Sequence, residues 1–193
     1  MWSLLLGPPT GNAFTLLLLL VVLLVSVWLL SLFSKWISEK IWKGRARMQN
    51  ALKELESILA MAGPRLLALS ETECSTRPAP DKWSRKEILG HLIDSAGNNH
   101  QRFVRAQLSS EIRLPSYEQV DWVRTQAYQT ESWENLVQLW KSFNLHLLHL
   151  GARIPDDRLN SMCFIGTNEP VTLEFIFVDY VRHVKHHIQQ LLG

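Results

Sequence analysis

"LEFIFVDYVRHVKHHIQQLL", residues 173–192, decides what kind of fold this chain adopts. Wound at about 100° per residue, Leu173, Phe177, Val181, Val184, Ile188 and Leu191 fall within about 50° of one direction. That stripe predicts a helix with one buried face. Thr172 can cap its N-terminus, and Pro170 closes the loop before it. The same stretch carries three histidines. On the wheel His187 lies about 75° and His183 about 115° from the centre of the buried face, on one flank. His186 points roughly 180° away, into solvent. A spacing of four stacks the rings of His183 and His187 on adjacent turns, where they can share one metal ion. The same spacing also suits two hydrogen-bonded surface histidines, and it lacks the glutamate of the HExxH motif.

Helical spacing extends outward from this stretch as far back as Met48, and no run alternates like a half-buried strand. A first helix is predicted over about Met48–Leu69, with Leu52, Leu55, Ile58, Leu59, Leu66 and Leu67 as its stripe. Gly63-Pro64 is a point of kink or break in it. After the proline-rich "STRPAPDKW", Ser84 and Glu87 make a capping box that opens a second helix, running to about Leu108. Its core face is Ile88, Leu92, Ala96, Phe103 and Ala106. His91, Ser95, Asn98 and Arg102, at i, i+4, i+7 and i+11, form a polar stripe on its flank, as a pocket between bundle helices requires. Asp94, one turn from His91, is placed to hold a ligand histidine by its second nitrogen or to bind a water.

Residues 109–128 form a connection of the length that lines functional sites. Thr130 can cap a third helix, about Glu131–Arg153, with Trp133, Leu136, Trp140, Phe143 and Leu147 inward. "IPDDRLNSMCFIGTNEP" reads as loop. Four such helices predict an all-α fold, a four-helix bundle. His100, His146 and His149 have no partner at a telling spacing and read as structural or exposed.

"AFTLLLLLVVLLVSVWLLSLF", residues 13–33, is 21 residues without a charge. At ~1.5 Å per residue it spans ~31 Å, the thickness of a bilayer's hydrocarbon core. A single N-terminal transmembrane helix is therefore expected ahead of the bundle. It is too long for a signal peptide and no basic segment precedes it. Lys35, Lys40, Lys43, Arg45 and Arg47 follow, whereas residues 1–12 hold no Lys or Arg, so the C-terminal domain is expected in the cytoplasm. Trp36 and Trp42 suit the headgroup region, and "SKWISEKIWKGRAR" a basic helix on the inner surface. The expected domains are residues 1–47, a membrane anchor with its basic segment, and 48–193, the bundle. All that is domain-like begins at Met48, so a translation start there would give a cytoplasmic protein instead. The net charge of +2, with no long basic run, argues against a nucleic-acid partner. Cys74 and Cys163 are isolated in regions read as loop, with no CxxC pair, and fit a reducing compartment.

"WSRKEILGHLIDSAGNNHQRFVRAQ", residues 83–107, followed by the HxxHH helix at 183–187, resembles the DinB-like superfamily, close to its bacillithiol-transferase-type branch. The resemblance covers about residues 48–192. It implies a four-helix bundle that binds a divalent metal ion through three histidines, one from the second helix and two from the last. Here these are His91, His183 and His187. Histidine-only ligation suits zinc or nickel, and also iron or manganese. Arg102 matches a frequent family arginine, which pairs with Asp94 or touches substrate. The long connection with Tyr117 and Trp122 is also family-like. Some members use the metal to activate a low-molecular-weight thiol against an electrophilic small-molecule substrate; others are described as metal-dependent hydrolases. The resemblance thus implies a thiol-dependent transferase, with a hydrolase or a non-catalytic binding module as alternatives, and a homodimer as the common assembly. The membrane segment departs from the family pattern.

Overall fold

The computed structural model describes residues 11–193; the first ten residues, part of the expected N-terminal segment, lie outside them. In chain order the elements are α1 (Gly11–Leu67), α2 (Glu71–Ser75), α3 (Arg85–Leu108), β1 (Glu111–Leu114), α4 (Gln119–Gln126), α5 (Trp133–Gly151), β2 (Met162–Ile165), β3 (Val171–Thr172) and α6 (Leu173–Leu192). The chain divides into two compact units, Met1–Trp42 and Lys43–Gly193.

In the first unit, the large apolar side chains from Leu16 to Phe33 are exposed, with no protein surface covering them. This is the one helix among the described residues long and apolar enough to cross a membrane. At the end of its apolar run the Phe33 and Trp36 rings stack at 5.9 Å, and the Lys40 amine lies 5.5 Å from the Trp36 ring.

The second unit is a bundle with α3 in contact with both α5 and α6. Residues 43–67 of α1 add Met48, Leu55, Leu59 and Leu66 to the same core. The six α6 residues of the predicted stripe are all buried, as are the five predicted on α3. On α5, Trp133, Leu136, Trp140 and Leu147 are buried and Phe143 is partly so. The Ser84–Glu87 capping box opens α3 and Thr172 caps α6, both as the spacing predicts. α1 runs through Pro64 to Leu67 without a break, and Leu67 itself is exposed. Its last carbonyls need partners from elsewhere, and the Trp133 indole donates to Leu66 O at 2.7 Å.

Several expectations are corrected. The fold is helical but not all-α: β1, β2 and β3 form a three-stranded sheet in that order. β1 and β2 are parallel, Glu111 opposite Met162, and β2 and β3 are antiparallel, Met162 opposite Thr172. The two connections read as loops are thus zipped to each other. Gly166, at φ 60°, turns the chain between β2 and β3 in the left-handed region that glycine enters without strain. α5 is capped by Ser132, because Thr130 belongs to a short 3-10 turn, Tyr128–Thr130. Cys74 lies in α2 and Cys163 in β2, both fully buried rather than in loops.

Arg45 and Arg47, expected in the membrane-surface segment, belong to the bundle unit. Arg45 donates to Ile154 O at 2.6 Å and pairs with Asp156. Arg47 makes a two-pronged pair with Glu174, at 2.7 and 2.9 Å, in the first turn of α6. A carboxylate there also meets the positive end of the helix dipole. The N-terminus of α3 is pinned by Lys86, whose buried amine donates to Glu131 O at 2.6 Å and pairs with Glu71. That anchorage sets the height of His91, five residues further on.

Candidate metal centre

His91 enters from α3 and is 1% exposed; His183 and His187 enter from α6 and are half-buried. One nitrogen from each of the three lies within 4.8 Å of those of the other two. His91 Nε2 and His183 Nε2 are 3.0 Å apart. The ring centroids are 5.0 Å apart for His91 and His183, 5.1 Å for His91 and His187, and 4.6 Å for His183 and His187. Trp83, just ahead of the α3 cap, sets its ring 5.4 Å from that of His91. His186 is exposed, as the wheel predicts.

The remaining nitrogens decide the tautomers. Gln190 Oε1 lies 2.9 Å from His187 Nδ1, so the proton sits on Nδ1 and the Nε2 lone pair is free. Ser95 Oγ is 3.4 Å from His183 Nδ1 and can accept its proton in the same sense. His91 Nδ1 is buried without a partner among the described residues. That is a cost of folding which a strong interaction at Nε2 would offset.

Burial holds all three rings neutral. It pushes the His91 pKa down to about 4, helped by repulsion from His183 and His187. His183 is also pushed down to about 4, by burial and then by His187, with Asp179 opposing. Burial lowers His187 as well, against the hydrogen bond to Gln190. Neutral imidazoles are what a metal ion needs as ligands. Two nitrogens each ~2.1 Å from one ion and roughly 90–110° apart stand ~3.0–3.4 Å from each other. The 3.0 Å between His91 and His183 fits that range.

The polar stripe on α3 is only partly as predicted. Ser95 and Arg102 line a cavity of about 340 Å³ that reaches His183. Asn98 does not line it; its amide turns back to Asp94 O at 2.9 Å. Asn99 takes that place, buried, with its amide on Ser95 O at 2.9 Å. The usable spacing is i, i+4, i+8 and i+11 from His91. Asp94 is buried but holds neither a histidine nor Arg102. Its Oδ1 accepts from Tyr128 Oη at 2.7 Å and from Gln126, while Oδ2 has no partner among the described residues. Burial raises its pKa above the ordinary carboxylate value, and the two hydrogen bonds oppose that. Tyr117 lines the cavity. Tyr128, Gln126 and Gln190 were not singled out by spacing. Gln190 lies three residues past His187 on its own helix, a separation at which a side chain can reach a ring nitrogen.

The comparisons with known proteins agree with this picture. A protein of Oceanobacillus iheyensis, named provisionally as a metal-dependent hydrolase, is 21% identical over 140 residues, 72% of this chain and 80% of that protein. The fold is shared with YfiT from Bacillus subtilis, described provisionally as a metal-dependent hydrolase with an unusual four-helix bundle topology. The TM-score is 0.65 at 20% identity, over 75% of this chain and 85% of YfiT. A mycothiol-dependent maleylpyruvate isomerase gives a TM-score of 0.63 at 13% identity, over 75% of this chain and 60% of the isomerase. The sequence pattern of the DinB superfamily matches residues 45–191, and the chain belongs to that superfamily.

Proposed function

We propose that His91, His183 and His187 hold one divalent metal ion, zinc or nickel, in a membrane-anchored enzyme acting on small electrophilic molecules with a low-molecular-weight thiol. The observation that carries this reading is the convergence of three neutral, partly or fully buried imidazoles whose nitrogens lie within 4.8 Å. An ion held by His91, His183 and His187 would supply Lewis-acid activation of a thiol or water near neutral pH.

The chain's own residues support the rest. Ser95 and Gln190 turn the α6 rings so that Nε2 faces the centre. Trp83 packs its ring 5.4 Å from that of His91 and helps to fix its orientation. Neither cysteine can serve as nucleophile: both are fully buried, and burial pushes both thiols up to about 11. A thiol nucleophile therefore comes from outside the chain, and the 340 Å³ cavity is where the substrate meets it. The exposed apolar helix over residues 15–33 and the basic residues after it support an anchor with the bundle on the cytoplasmic side.

A second reading keeps the three histidines and replaces the thiol by water; the provisional hydrolase names of two relatives favour it. Both are tested on the purified 193-residue chain beside His91→Ala and His187→Ala. Near-stoichiometric metal in the parent, falling below a tenth in both variants with helicity retained, is expected. Metal absent from the parent after reconstitution with zinc, nickel and manganese would sink both readings. Turnover of an electrophilic probe only when a thiol is added selects the first reading, and turnover without it the second. Bound metal with no turnover in either screen would leave a binding module.

A further inference from the structure

We infer that the cavity beside the three histidines takes a small carboxylic acid with an apolar body, its carboxylate seated on Arg102. This names the substrate class of the site proposed above and rests on that reading. Arg102 projects from α3 into the cavity and is half-buried. A guanidinium has five N–H donors in a planar fork. Here Nη1 donates to Asn99 Oδ1 at 3.2 Å. The other arginines of the bundle are satisfied or wet. Arg45, Arg47, Arg77, Arg113, Arg124, Arg158 and Arg182 each face a carboxylate. Arg85, also half-buried, donates to the carbonyls of Leu191 and Glu73. Arg65, Arg105 and Arg153 are exposed. Arg102 alone among the half-buried arginines of the described residues has neither a carboxylate nor a backbone carbonyl. Burial lowers its pKa from the ordinary value, but a guanidinium stays charged in a protein. A charge taken partly out of water without a counterion is costly, and a carboxylate docked on the fork removes that cost.

The seat is built into the site. Arg102 donates to Asn99 Oδ1; the Asn99 amide donates to Ser95 O at 2.9 Å and lies 3.4 Å from Ser95 Oγ. Ser95 Oγ in turn meets His183 Nδ1 at 3.4 Å. One face of α3 thus joins the guanidinium to a histidine of the cluster. Ser95 and Arg102 are seven residues apart, on the order of 10 Å along the axis. An acid with its carboxylate at Arg102 therefore reaches the histidines through a body of a few bonds or one ring. Ile165, Val171, Phe175 and Ile176 give that body an apolar wall. The other charged linings are acidic: Asp179, already paired with Arg182, and Glu169, exposed at the rim. One cation among two carboxylates suits a monoanion better than a doubly charged phosphate.

The test is calorimetric titration of the 193-residue chain in non-ionic detergent with 4-phenylbutyrate, 4-phenylbutyramide and 3-phenylpropylphosphonate. It is run on the parent, Arg102→Gln, Arg102→Lys and His187→Ala, each with and without chelator. The carboxylate should bind the parent whether or not metal is present. The amide should bind about 10- to 100-fold more weakly, and Arg102→Gln should lose the carboxylate by the same factor. His187→Ala should keep it, so a failed metal reading leaves this arm intact. Absence of carboxylate binding, equal binding of acid and amide, or tighter binding of the phosphonate would each overturn the inference. So would carboxylate binding that vanishes with chelator and ignores Arg102→Gln, since the anion would then sit on the metal. If Arg102→Gln loses its helical circular dichroism, the acid-to-amide ratio on the parent and on Arg102→Lys decides.

Discussion

At the scale of single residues, the three histidines make the metal-free protein sensitive to acid. His91 and His183 titrate at about 4 in the fold, against about 6.5 in an unfolded chain. Between those values the unfolded chain binds more protons, so acid favours it. The stabilising contribution is complete above about pH 6.5 and is lost as pH falls toward about 4. Asp94, with its pKa raised by burial, has the opposite slope, so the informative quantity is a difference. Thermal melts in chelator at pH 7.5, 5.5 and 4.5 should show the parent losing more stability than His91→Gln. Parallel profiles would mean that burial of His91 is not what holds it neutral. The histidine pair of α6 was legible because a four-residue spacing has only one geometric meaning on a helix. Asn99 was not: from His91 it lies 80° around the wheel, and only its bond back to Ser95 brings it to the cavity. Tyr128 reaches Asp94 from 34 residues away, a contact that no local pattern encodes.

At the scale of elements, α3 carries a glycine for a reason that runs against helix propensity. A Cβ at Gly90 would overlap the ring of Tyr128, which lies directly on the helix backbone there. Propensity alone predicts that Gly90→Ala gains about 1 kcal/mol. Overpacking predicts a loss of about 1–3 kcal/mol, and packing should win because the obstruction is a buried ring with nowhere to go. Chemical denaturation should show Gly90→Ala less stable than the parent, and a midpoint equal or higher would refute the close approach. The helix ends follow the same division between local and distant causes. The boxes at Ser84–Glu87 and Ser70–Glu73 are both written in the sequence, yet only the first precedes an apolar stripe. α2, five residues long, has too few turns to show periodicity. The strands, of four, four and two residues, are too short to display alternation. The β1–β2 pairing joins segments some fifty residues apart, beyond the reach of any local reading.

At the scale of the molecule, the anchor and the bundle should be separable. The full chain is expected to stay with membranes after alkaline carbonate extraction, and a chain beginning at Lys43 to remain in the supernatant with its metal content unchanged. A full chain released by carbonate would refute the anchor. The shorter chain should begin no later than Lys43, because Arg45 and Arg47 tie α1 to Asp156 and Glu174. The parallel pairing of β1 with β2 carries a consequence for how the molecule assembles. Helices nucleate from contacts four residues apart, whereas the parallel partner of β1 lies some fifty residues further along the chain. Closing so long a loop is slow, and the reward comes only at the end. The histidines sit on helices, but Ile165 and Val171 in the cavity wall belong to β2 and β3. In chain order α3 precedes β2, β3 and α6, so the three histidines and the strand residues of the cavity wall can meet only once residues 173–192 have been made. A chain stopped before α6 carries His91 alone, without the two ring nitrogens that complete the cluster.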